Sequence, residues 1–507
     1  MSSTVTTENK DSPRPGFVQT VGSYPRSYWF ANVIELFERW GYYGLRGGFL
    51  SVFMVTAVAQ GGLGFNHIQK GSIYAWWALL QSLLPMFTGG YADKYGYKKT
   101  VAIAICITCT GYVLMGNLSD YSGFFLASML VATGTAIFKP GIQGILAHST
   151  NKQNAPLGWS IFYMVVNIGG FVGPLVTGFM RVISWEYVFY LSALMHSLNL
   201  LILLAFKEPA AALKQRNTEP FALNQFCRDF ITIFLNSIKN LWQWRLLSFL
   251  IIFSGFWLMF MQLFDILANF ITDWVDTAPL YTFLGNIFNS DALIQKGLAG
   301  TQMPAEWLVN MDAAAIIIFM LPIGWTFGRM KAVPAMVLGM TIAAAGIIFA
   351  GASMSASICI AGIVVFAVGE MIASPRKNEY LASIAPEGKL GLYMGYVNFP
   401  QAIGWGIGSK IGGHLYQNYA DKLSLARDYM QTKLNMTHDA VMAIPPENVV
   451  STLSQQLGHV SLNETTVLLF NTYHPQNIWY AFAAVGLVSV VGMFFYNIIV
   501  ERKRQAE

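Results

Sequence analysis

The first long apolar segment of the chain, residues 31–49, carries charged side chains at helical spacing. One stripe of a helix would contain, at intervals of four, three and four residues, Glu35, Arg39, Tyr42 and Arg46, and Glu38 would lie beside that stripe. A charge that faces lipid at the centre of a membrane helix costs about 2.5–3.5 kcal/mol, so four such charges would cost about 10 kcal/mol. These charged side chains must therefore face one another or a wet cavity inside a helical bundle, which is the pattern of a path for polar solutes.

Two later apolar segments each contain an isolated charge. Lys139 lies too deep in its segment to reach the lipid headgroups, so we expect it to pair with Glu35 or Glu38, the carboxylates available in the same half of the chain. Glu370 is predicted to bind a proton or to anchor a cationic group of a substrate. The alternatives are a purely structural ion pair at Lys139 and a structural role for Glu370, although an ion pair that must break can also act as a switch.

The composition excludes a soluble protein. Of the 507 residues, 54% are hydrophobic and 11% are charged, whereas soluble domains contain about 25% charged residues. Residues 1–27 are polar and lack the apolar core of a cleavable signal peptide, so we expect the first span itself to direct insertion. The net charge of +5 comes from basic residues in short loops and predicts no nucleic-acid partner.

The sequence offers no support for enzymatic chemistry. A CxxC pair, Cys106 and Cys109, lies inside an apolar segment, where packing of two small side chains explains it better than metal or redox chemistry. We recognise no metal-ligand cluster, nucleophile elbow or phosphate-binding loop in the sequence. The chain is therefore predicted not to be an enzyme and to bind no metal.

About twelve apolar segments are predicted to cross the membrane as helices. Basic residues cluster in alternate loops, whereas the loops at 118–123 and 182–185 contain no Lys or Arg. By the positive-inside rule, both chain ends are then cytoplasmic. The predicted spans are residues 30–50, 70–91, 100–117, 124–147, 156–181, 186–206, 247–270, 312–328, 333–352, 358–380, 391–415 and 477–499.

A polar segment at residues 207–246 divides the predicted spans into two sets of six. We therefore predict an all-α integral membrane protein in which two six-helix bundles enclose a cavity near the membrane midplane. The predicted parts are an N-terminal tail at 1–28, a first bundle at 29–206, the linker at 207–246, a second bundle at 247–500 with long outer loops at 271–311 and 416–476, and a tail at 501–507.

The loop after the second span adds a motif to this layout. It resembles the motif that the major facilitator superfamily carries between its second and third spans, a Gly followed by Asp-Arg/Lys, Gly and two basic residues. Asp93 is suited to brace the N-terminus of a neighbouring helix, and an ordinary basic loop is the alternative. The residues that carry this conformational motif are Gly89, Asp93, Lys94, Gly96, Lys98 and Lys99.

Four segments resemble motifs of the proton-coupled oligopeptide transporter family within that superfamily. The most specific is Glu35-Leu36-Phe37-Glu38-Arg39-Trp40-Gly41-Tyr42-Tyr43-Gly44, which is similar to ExxERFxYYG with Trp in place of Phe. The resemblance covers the membrane-spanning part of both halves and is clearest in the first five helices. The other three segments are Phe138-Lys139-Pro140, Phe162-Tyr163 with Asn167 and Gly169, and Gly369-Glu370 with Ser374-Pro375.

The resemblance implies the major facilitator fold and proton-coupled symport of di- and tripeptides by alternating access. Arg46 and Lys139 would receive the carboxylate of a peptide, and Glu370 would receive its amino group. Electrostatics independently favours a zwitterion between a basic and an acidic half. The implied proton-coupling residues are Glu35, Glu38, Arg39, Lys139 and Glu370, and the implied substrate-binding residues also include Tyr42, Tyr43, Tyr163, Asn167, Gln262 and Ser374.

Three positions depart from the family pattern. Ser82 stands where the family usually has Tyr, Asp265 follows Gln262 where Gln-x-Gly-Ser is usual, and Tyr396 stands where Trp is usual. Two roles are open for Asp265, the lining of the cavity or packing between helices. These departures leave open which peptide lengths and side chains the site accepts. They also leave room for a non-peptide substrate.

Two further hypotheses compete with peptide symport. One is the proton-coupled transport of another small zwitterionic or anionic metabolite. The other is a sensor that keeps the fold without transporting and binds partners through its long outer loops, although retained buried charges argue against it. The expected partners are a small peptide or zwitterion, protons and membrane lipid. A monomer in a plasma or bacterial inner membrane, with no cofactor besides a proton gradient, is expected.

Overall fold

A computed structural model describes residues 17–86, 88, 92, 96–151, 154–209, 228, 239, 241–280, 282, 283, 302–386, 393, 394 and 396–501. Within these ranges the regular elements are helices, and the one β contact is an isolated bridge between Asp276 and Ser355. Gly89, Asp93 and Lys94 of the predicted loop motif lie outside the described residues. So do most of the predicted linker and part of the loop at 271–311.

Twelve long helices, numbered α1 to α12, form the body of the described chain, as the apolar segments predict. Nine of them are long and apolar enough to cross a membrane; α1, α2 and α11 are more polar or shorter. The bounds are α1 Arg26–Arg46, α2 His67–Leu83, α3 Tyr97–Met115, α4 Tyr121–His148, α5 Ala155–Ile183, α6 Trp185–Ala205, α7 Trp244–Phe260, α8 Met311–Phe327, α9 Ala332–Gly351, α10 Ala356–Ile384, α11 Phe399–Tyr419 and α12 Asn477–Tyr496.

Shorter helical elements extend or connect the long ones. They are α-helices at Phe17–Gly22, Phe49–Val55, Gln262–Asp265, Leu267–Trp274, Ala305–Val309, Lys422–Thr432, His438–Met442, Val449–Gln456 and Leu462–Tyr473, 3₁₀ turns at Val58–Gln60, Tyr396–Asn398 and Pro446–Asn448, and a π-helical turn at Asn497–Glu501.

The first and seventh spans are broken near one end, although the sequence predicts each as a continuous helix. The chain leaves α1 at Gly47 and Gly48, and the φ of 112° at Gly48 is a conformation that a side chain would strain. A Cβ on Gly48 would also lie 3.3 Å from the Cα of Glu306, so glycine allows the two halves to approach closely here. The seventh span breaks at Ile266, just after Asp265.

The helices pack in two sets that meet along two seams. In the first half α1 packs on α5 and α6, and α3 packs on α4 and α6. In the second half α9 packs on α10 and α12, and α7 packs on α11 and α12. The seams between the halves are the contacts of α2 with α11 and of α5 with α8.

Hydrogen bonds between loops define two faces of the bundle. On one face, here called the distal face, Trp185 Nε1 donates to the carbonyl of Gln60 at 3.1 Å, and the backbone amide of His67 donates to Gln417 at 2.9 Å. On the opposite face, called the terminal face, Tyr24 Oη near the described N-terminus donates to the carbonyl of Asn154 at 2.7 Å.

The predicted long loop at 416–476 is largely helical. Asp421 and Ser461 each accept a hydrogen bond from a backbone amide in the first turn of the helix that follows, which satisfies an otherwise free N–H group. Buried apolar side chains on the helices of this region, among them Leu425, Met430 and Leu453, pack into the main hydrophobic core. A polar sequence can therefore fold at the distal face because local caps and a small apolar stripe suffice.

Candidate functional site

A cavity of about 440 Å³ lies between the two halves, within the usual range of about 300–1,000 Å³ for small-ligand sites. Its walls come from α1, α2, α4 and α5 on one side and from the seventh span, α8, α10 and α11 on the other. The sequence-predicted site residues that line it are Arg39, Tyr42, Tyr43, Arg46, Lys139, Tyr163, Asn167 and Glu370.

The wall of the first half contains a connected group of ion pairs. Lys139 Nζ donates to Glu35, as the sequence predicts, and Arg39 donates to both oxygens of Glu38. Arg39 Nε also lies 3.4 Å from Glu35, which joins the two pairs. The side chains of Glu35 and Glu38 are fully buried behind the two cations, so Arg39 and Lys139 present the positive charge to the cavity.

The opposite wall is acidic. Glu370 on α10 and Asp312 in the first turn of α8 both line the cavity. One oxygen of each, Glu370 Oε2 and Asp312 Oδ1, is buried without a hydrogen-bond partner among the described residues. Asp312 is a site residue that the sequence reasoning missed, because it stands at the very edge of an apolar segment, where a charge normally faces water.

Aromatic and amide side chains complete the middle of the cavity. The guanidinium of Arg39 lies 4.6 Å from the ring centre of Tyr42 and 5.5 Å from that of Tyr43, within the range of cation–π contacts. On α5, Asn167 Nδ2 donates to the carbonyl of Tyr163 at 2.9 Å, one helical turn away. This leaves the Asn167 side-chain oxygen available to a ligand.

Arg46 closes the distal end of the cavity through a contact between the halves. Its Nη2 donates to Asp265 Oδ1 at 2.9 Å, and Asp265 Oδ2 accepts from Trp405 Nε1 at 2.9 Å and from Ser409 Oγ at 2.7 Å. Asp265 is therefore an interhelical partner and does not line the cavity, which decides between its two predicted roles. The Nε and Nη1 atoms of Arg46 have no hydrogen-bond partner among the described residues.

Two predicted substrate-binding residues lie outside the cavity wall. Gln262 is fully buried and donates to the carbonyl of Leu258 at 2.8 Å, and its side chain packs against Gly408 and Gly412 of α11. Ser374 also does not reach the cavity, and its hydroxyl is buried without a partner among the described residues. In this conformation Gln262 and Ser374 do not line the cavity, and their predicted contact with a substrate stays a prediction.

The two halves are joined at the distal face. Between described residues, the hydrogen bonds and ion pairs that cross from one half to the other lie at the distal ends of the helices, so the cavity is closed on that side. Besides the Arg46 pair they include Ser51 Oγ to the Phe264 carbonyl at 3.0 Å, Lys70 Nζ to the Asp265 carbonyl at 2.9 Å, Asn269 Nδ2 to the Ser51 carbonyl at 3.0 Å, Asn310 Nδ2 to the Phe171 carbonyl at 2.7 Å and Arg181 Nε to Glu306 at 3.2 Å.

The described part of the loop motif ties α3 to the end of α6. Lys98 donates from its backbone amide to Glu208 at 2.7 Å and from Nζ to the carbonyl of Phe206 at 2.9 Å. Gly96 has a φ of 100° at the start of α3, and Lys99 follows in the first turn. Since Asp93 lies outside the described residues, its predicted contact with a helix N-terminus stays a prediction.

Comparisons with known proteins support a transporter. The profile of the Major Facilitator Superfamily matches residues 40–290. The chain is 24% identical over 462 residues to the peptide transporter YePEPT of Yersinia enterocolitica, with 79% of this chain and 89% of that protein covered. It is 31% identical over 175 residues to the uncharacterized transporter YclF of Bacillus subtilis, but this match spans only 34% of that protein.

Solved structures agree with the fold. A POT family transporter in complex with 5-aminolevulinic acid superposes with a TM-score of 0.67 at 18% sequence identity, with 97% of this chain and 98% of that chain covered. At this identity the similarity establishes the architecture, a helical membrane protein of the major facilitator type.

Proposed function

The chain belongs to the major facilitator superfamily and, within it, to the proton-coupled oligopeptide transporter family, and on that premise we propose that it carries di- and tripeptides into the cell together with protons. Relatives named as peptide transporters support the substrate class. The observation that carries the proposal is the opposition of charges across the cavity, with Lys139 and Arg39 on one wall and Glu370 on the other.

Charge complementarity explains why a peptide fits between these walls. A dipeptide has a carboxylate at one end and an ammonium group at the other, so it can bridge Lys139 and Glu370 and draw the two halves together. Arg46 lines the distal end of the same cavity, and its Nε and Nη1 atoms have no hydrogen-bond partner among the described residues. Tyr42, Tyr43, Tyr163 and Asn167 then contact the middle of the peptide.

The ion pairs behind the first wall support the proposed proton coupling. In the structure Glu35 binds Lys139, which therefore cannot offer its full charge to a peptide carboxylate. A proton on Glu35 removes that competition and frees Lys139 for the substrate, so proton binding and peptide binding favour each other. Glu38 and Arg39 stay paired with each other during this exchange, so neither is left as an uncompensated charge.

Alternating access then requires the distal contacts to open and the terminal side of the cavity to close. We assign the terminal face to the cytoplasm, since basic residues cluster in its loops, and expect a monomer in a plasma or inner membrane. The described conformation is accordingly the one that faces the cytoplasm. Peptide and proton would bind after the distal contacts break and would leave through the terminal side.

The test is uptake of radiolabelled alanyl-alanine into proteoliposomes, with and without an inward proton gradient. We expect uptake to be stimulated by the gradient, and Glu370→Gln and Lys139→Ala to abolish it. Glu379→Gln is the matched control, since it removes a carboxylate from the same helix as Glu370. Glu379 lies at a more exposed position, where it pairs with Arg376. Gradient-independent uptake by the wild-type protein would contradict proton coupling, and no uptake would contradict peptide transport.

A second candidate is a non-peptide zwitterion. The same fold binds 5-aminolevulinic acid in a solved relative, which has an amine and a carboxylate at opposite ends. If alanyl-alanine is not taken up by folded protein, a thermal-shift screen of zwitterionic metabolites separates this candidate from the non-transporting sensor, because a sensor of partner proteins would show no shift with any of them.

A further inference from the structure

We propose that Asp312 and Glu370 together form a two-carboxylate subsite that favours peptides whose first residue carries a second amine. This inference rests on the proposed function, because it names the substrate class of the same cavity. It concerns a carboxylate, Asp312, that the sequence motifs do not identify as part of the site.

The geometry brings the two carboxyl groups together on one wall. Asp312 begins α8 and Glu370 lies in the middle of α10, and these helices pack through Ala315, Ile316 and Ala367. Both side chains line the same cavity, each contributed by one of these two packed helices. An incoming amino group therefore meets both carboxyl groups.

The described residues supply no counter-charge to this pair. The cations that line the cavity are each bound to another carboxylate, Arg39 to Glu38, Lys139 to Glu35 and Arg46 to Asp265. None of the ion pairs between described residues includes Asp312 or Glu370. Each of the two has a buried oxygen without a hydrogen-bond partner there.

The consequence is a difference in binding affinity between substrates that carry one positive charge at the amino end and substrates that carry two. Two carboxyl groups in one buried site repel each other when both are ionised, so with a single ammonium group bound one of them keeps a proton. A second ammonium group, such as the side chain of an N-terminal lysine, allows that carboxyl group to release its proton to solvent and to accept a charged hydrogen bond instead. The other wall needs no change, because the peptide carboxylate still binds Lys139.

The experiment measures equilibrium binding of two dipeptides to the purified full-length protein in nanodiscs. Lysyl-alanine is compared with norleucyl-alanine, which has a side chain of similar length without the amine, so the ratio of their Kd values isolates the second charge. We expect the wild-type protein to bind lysyl-alanine about tenfold more tightly, the effect of one additional charged hydrogen bond.

Asp312→Asn keeps the shape of the side chain and removes its charge. We expect it to weaken the binding of lysyl-alanine more than that of norleucyl-alanine, so that the preference for lysyl-alanine falls to about twofold or less. Asp312→Ser serves if the first variant unfolds, which thermal unfolding will detect. Glu379→Gln, which removes a carboxylate away from the cavity, is the matched control and should keep the preference.

The outcomes separate this inference from the function on which it rests. If the wild-type protein binds both dipeptides equally, or if the preference survives in both Asp312 variants, the subsite is wrong while peptide binding stands. If the folded protein binds neither dipeptide, the proposed function fails and the inference fails with it. A preference that disappears only in the Asp312 variants supports the subsite.

Discussion

Arg46 and Asp265 form an ion pair of 2.9 Å between the first and the second half of the protein, although 219 positions separate them in the sequence. Both side chains are buried, and Arg46 also lies 4.0 Å from the ring centre of Tyr74. The pair stands at the distal end of the cavity, beside the breaks in the first and seventh spans. Because Arg46 also lines the cavity, the ion pair links the contact that closes the distal face to the wall of the cavity.

Removing the charge of Asp265 should open the distal face. Asp265→Asn leaves Arg46 buried without a counter-charge in the closed state, and breaking a buried pair in this way costs about 3–5 kcal/mol. A 99:1 preference for the closed state corresponds to about 2.7 kcal/mol, half of the about 5.5 kcal/mol that a shift from 99:1 to 1:99 needs, so this cost is enough to make the closed state the minor one. We expect a longer distance between spin labels at Ala59 and Gln456, measured after replacement of the four native cysteines.

Glu379→Gln is again the matched control for this experiment. Its ion pair with Arg376 involves a carboxylate side chain that is 55% exposed, and exposed pairs contribute about 0–1 kcal/mol. The label distances should therefore not change in this variant. An unchanged distance in Asp265→Asn would mean that the other distal contacts are sufficient to hold the halves together.

Gly71 of α2 is predicted to be essential for distal closure. A Cβ at this position would lie 2.4 Å from the carbonyl oxygen of Ser409 on α11, so no side chain fits while the halves are in contact. We expect Gly71→Val to fold in a distal-open form and to lose uptake of alanyl-alanine. The readouts are uptake into proteoliposomes and the same spin-label distance.

Gly324 of α8 offers the comparison. It is also a glycine within a long helix, but a Cβ there would have nothing within 4 Å. Gly324→Val should retain uptake and the label distance, because it creates no contact between the halves. Normal uptake by Gly71→Val would show that α2 and α11 need not approach this closely during the cycle.

The pair of Glu35 and Lys139 is predicted to behave as a coupled unit in stability. Glu35→Gln or Lys139→Met alone leaves a charge without its partner, with a cost of at most about 3–5 kcal/mol. The cost is smaller for Lys139→Met, since Arg39 lies 3.4 Å from Glu35 and compensates part of the charge that remains. The double variant removes both charges and should be more stable than the sum of the single changes predicts. Thermal unfolding of the four proteins measures this; additive effects would contradict a direct interaction.

The distal helix at Leu462–Tyr473 is predicted to depend on its capping box. Ser461 Oγ accepts from the amide of Glu464 at 3.2 Å, and Glu464 accepts from the amide of Ser461 at 2.8 Å. Ser461→Ala should weaken this helix by about 1 kcal/mol. Amide hydrogen exchange across residues 462–473 should become about fivefold faster, with uptake unchanged. Exchange at the wild-type rate would show that packing alone holds the helix.

The same capping box makes the stability of the helix at Leu462–Tyr473 depend on pH. Hydrogen bonds from Ser461 lower the pKa of the Glu464 carboxyl below its ordinary value of 4.5. Because the folded pKa is lower than the unfolded one, the stabilisation is present above the unfolded pKa and is lost as the pH falls through the folded pKa. Exchange protection of residues 462–473, corrected for intrinsic rates, should fall between about pH 5 and pH 3 in the wild-type protein but not in Glu464→Gln.

The helices and the charges that must be shielded from lipid follow from the amino-acid sequence alone. Each long apolar segment is a local feature, and lipid imposes a high cost on an exposed charge, so Glu35, Arg39 and Lys139 can be assigned to the protein interior from their positions in the chain. The pairing of Lys139 with Glu35 is predictable as well, because few carboxylates are available in that half.

The contacts between distant segments, in contrast, depend on the tertiary structure. Asp265 pairs with Arg46 because the seventh span breaks at Ile266, and no periodic pattern indicates that break. Asp312 faces the cavity because α8 begins beside α10, whereas its sequence position suggests a residue at the water boundary. Gln262 packs against α11 for the same reason. Which neighbour a side chain contacts depends on which helix packs against its own helix, and that packing depends on the whole chain.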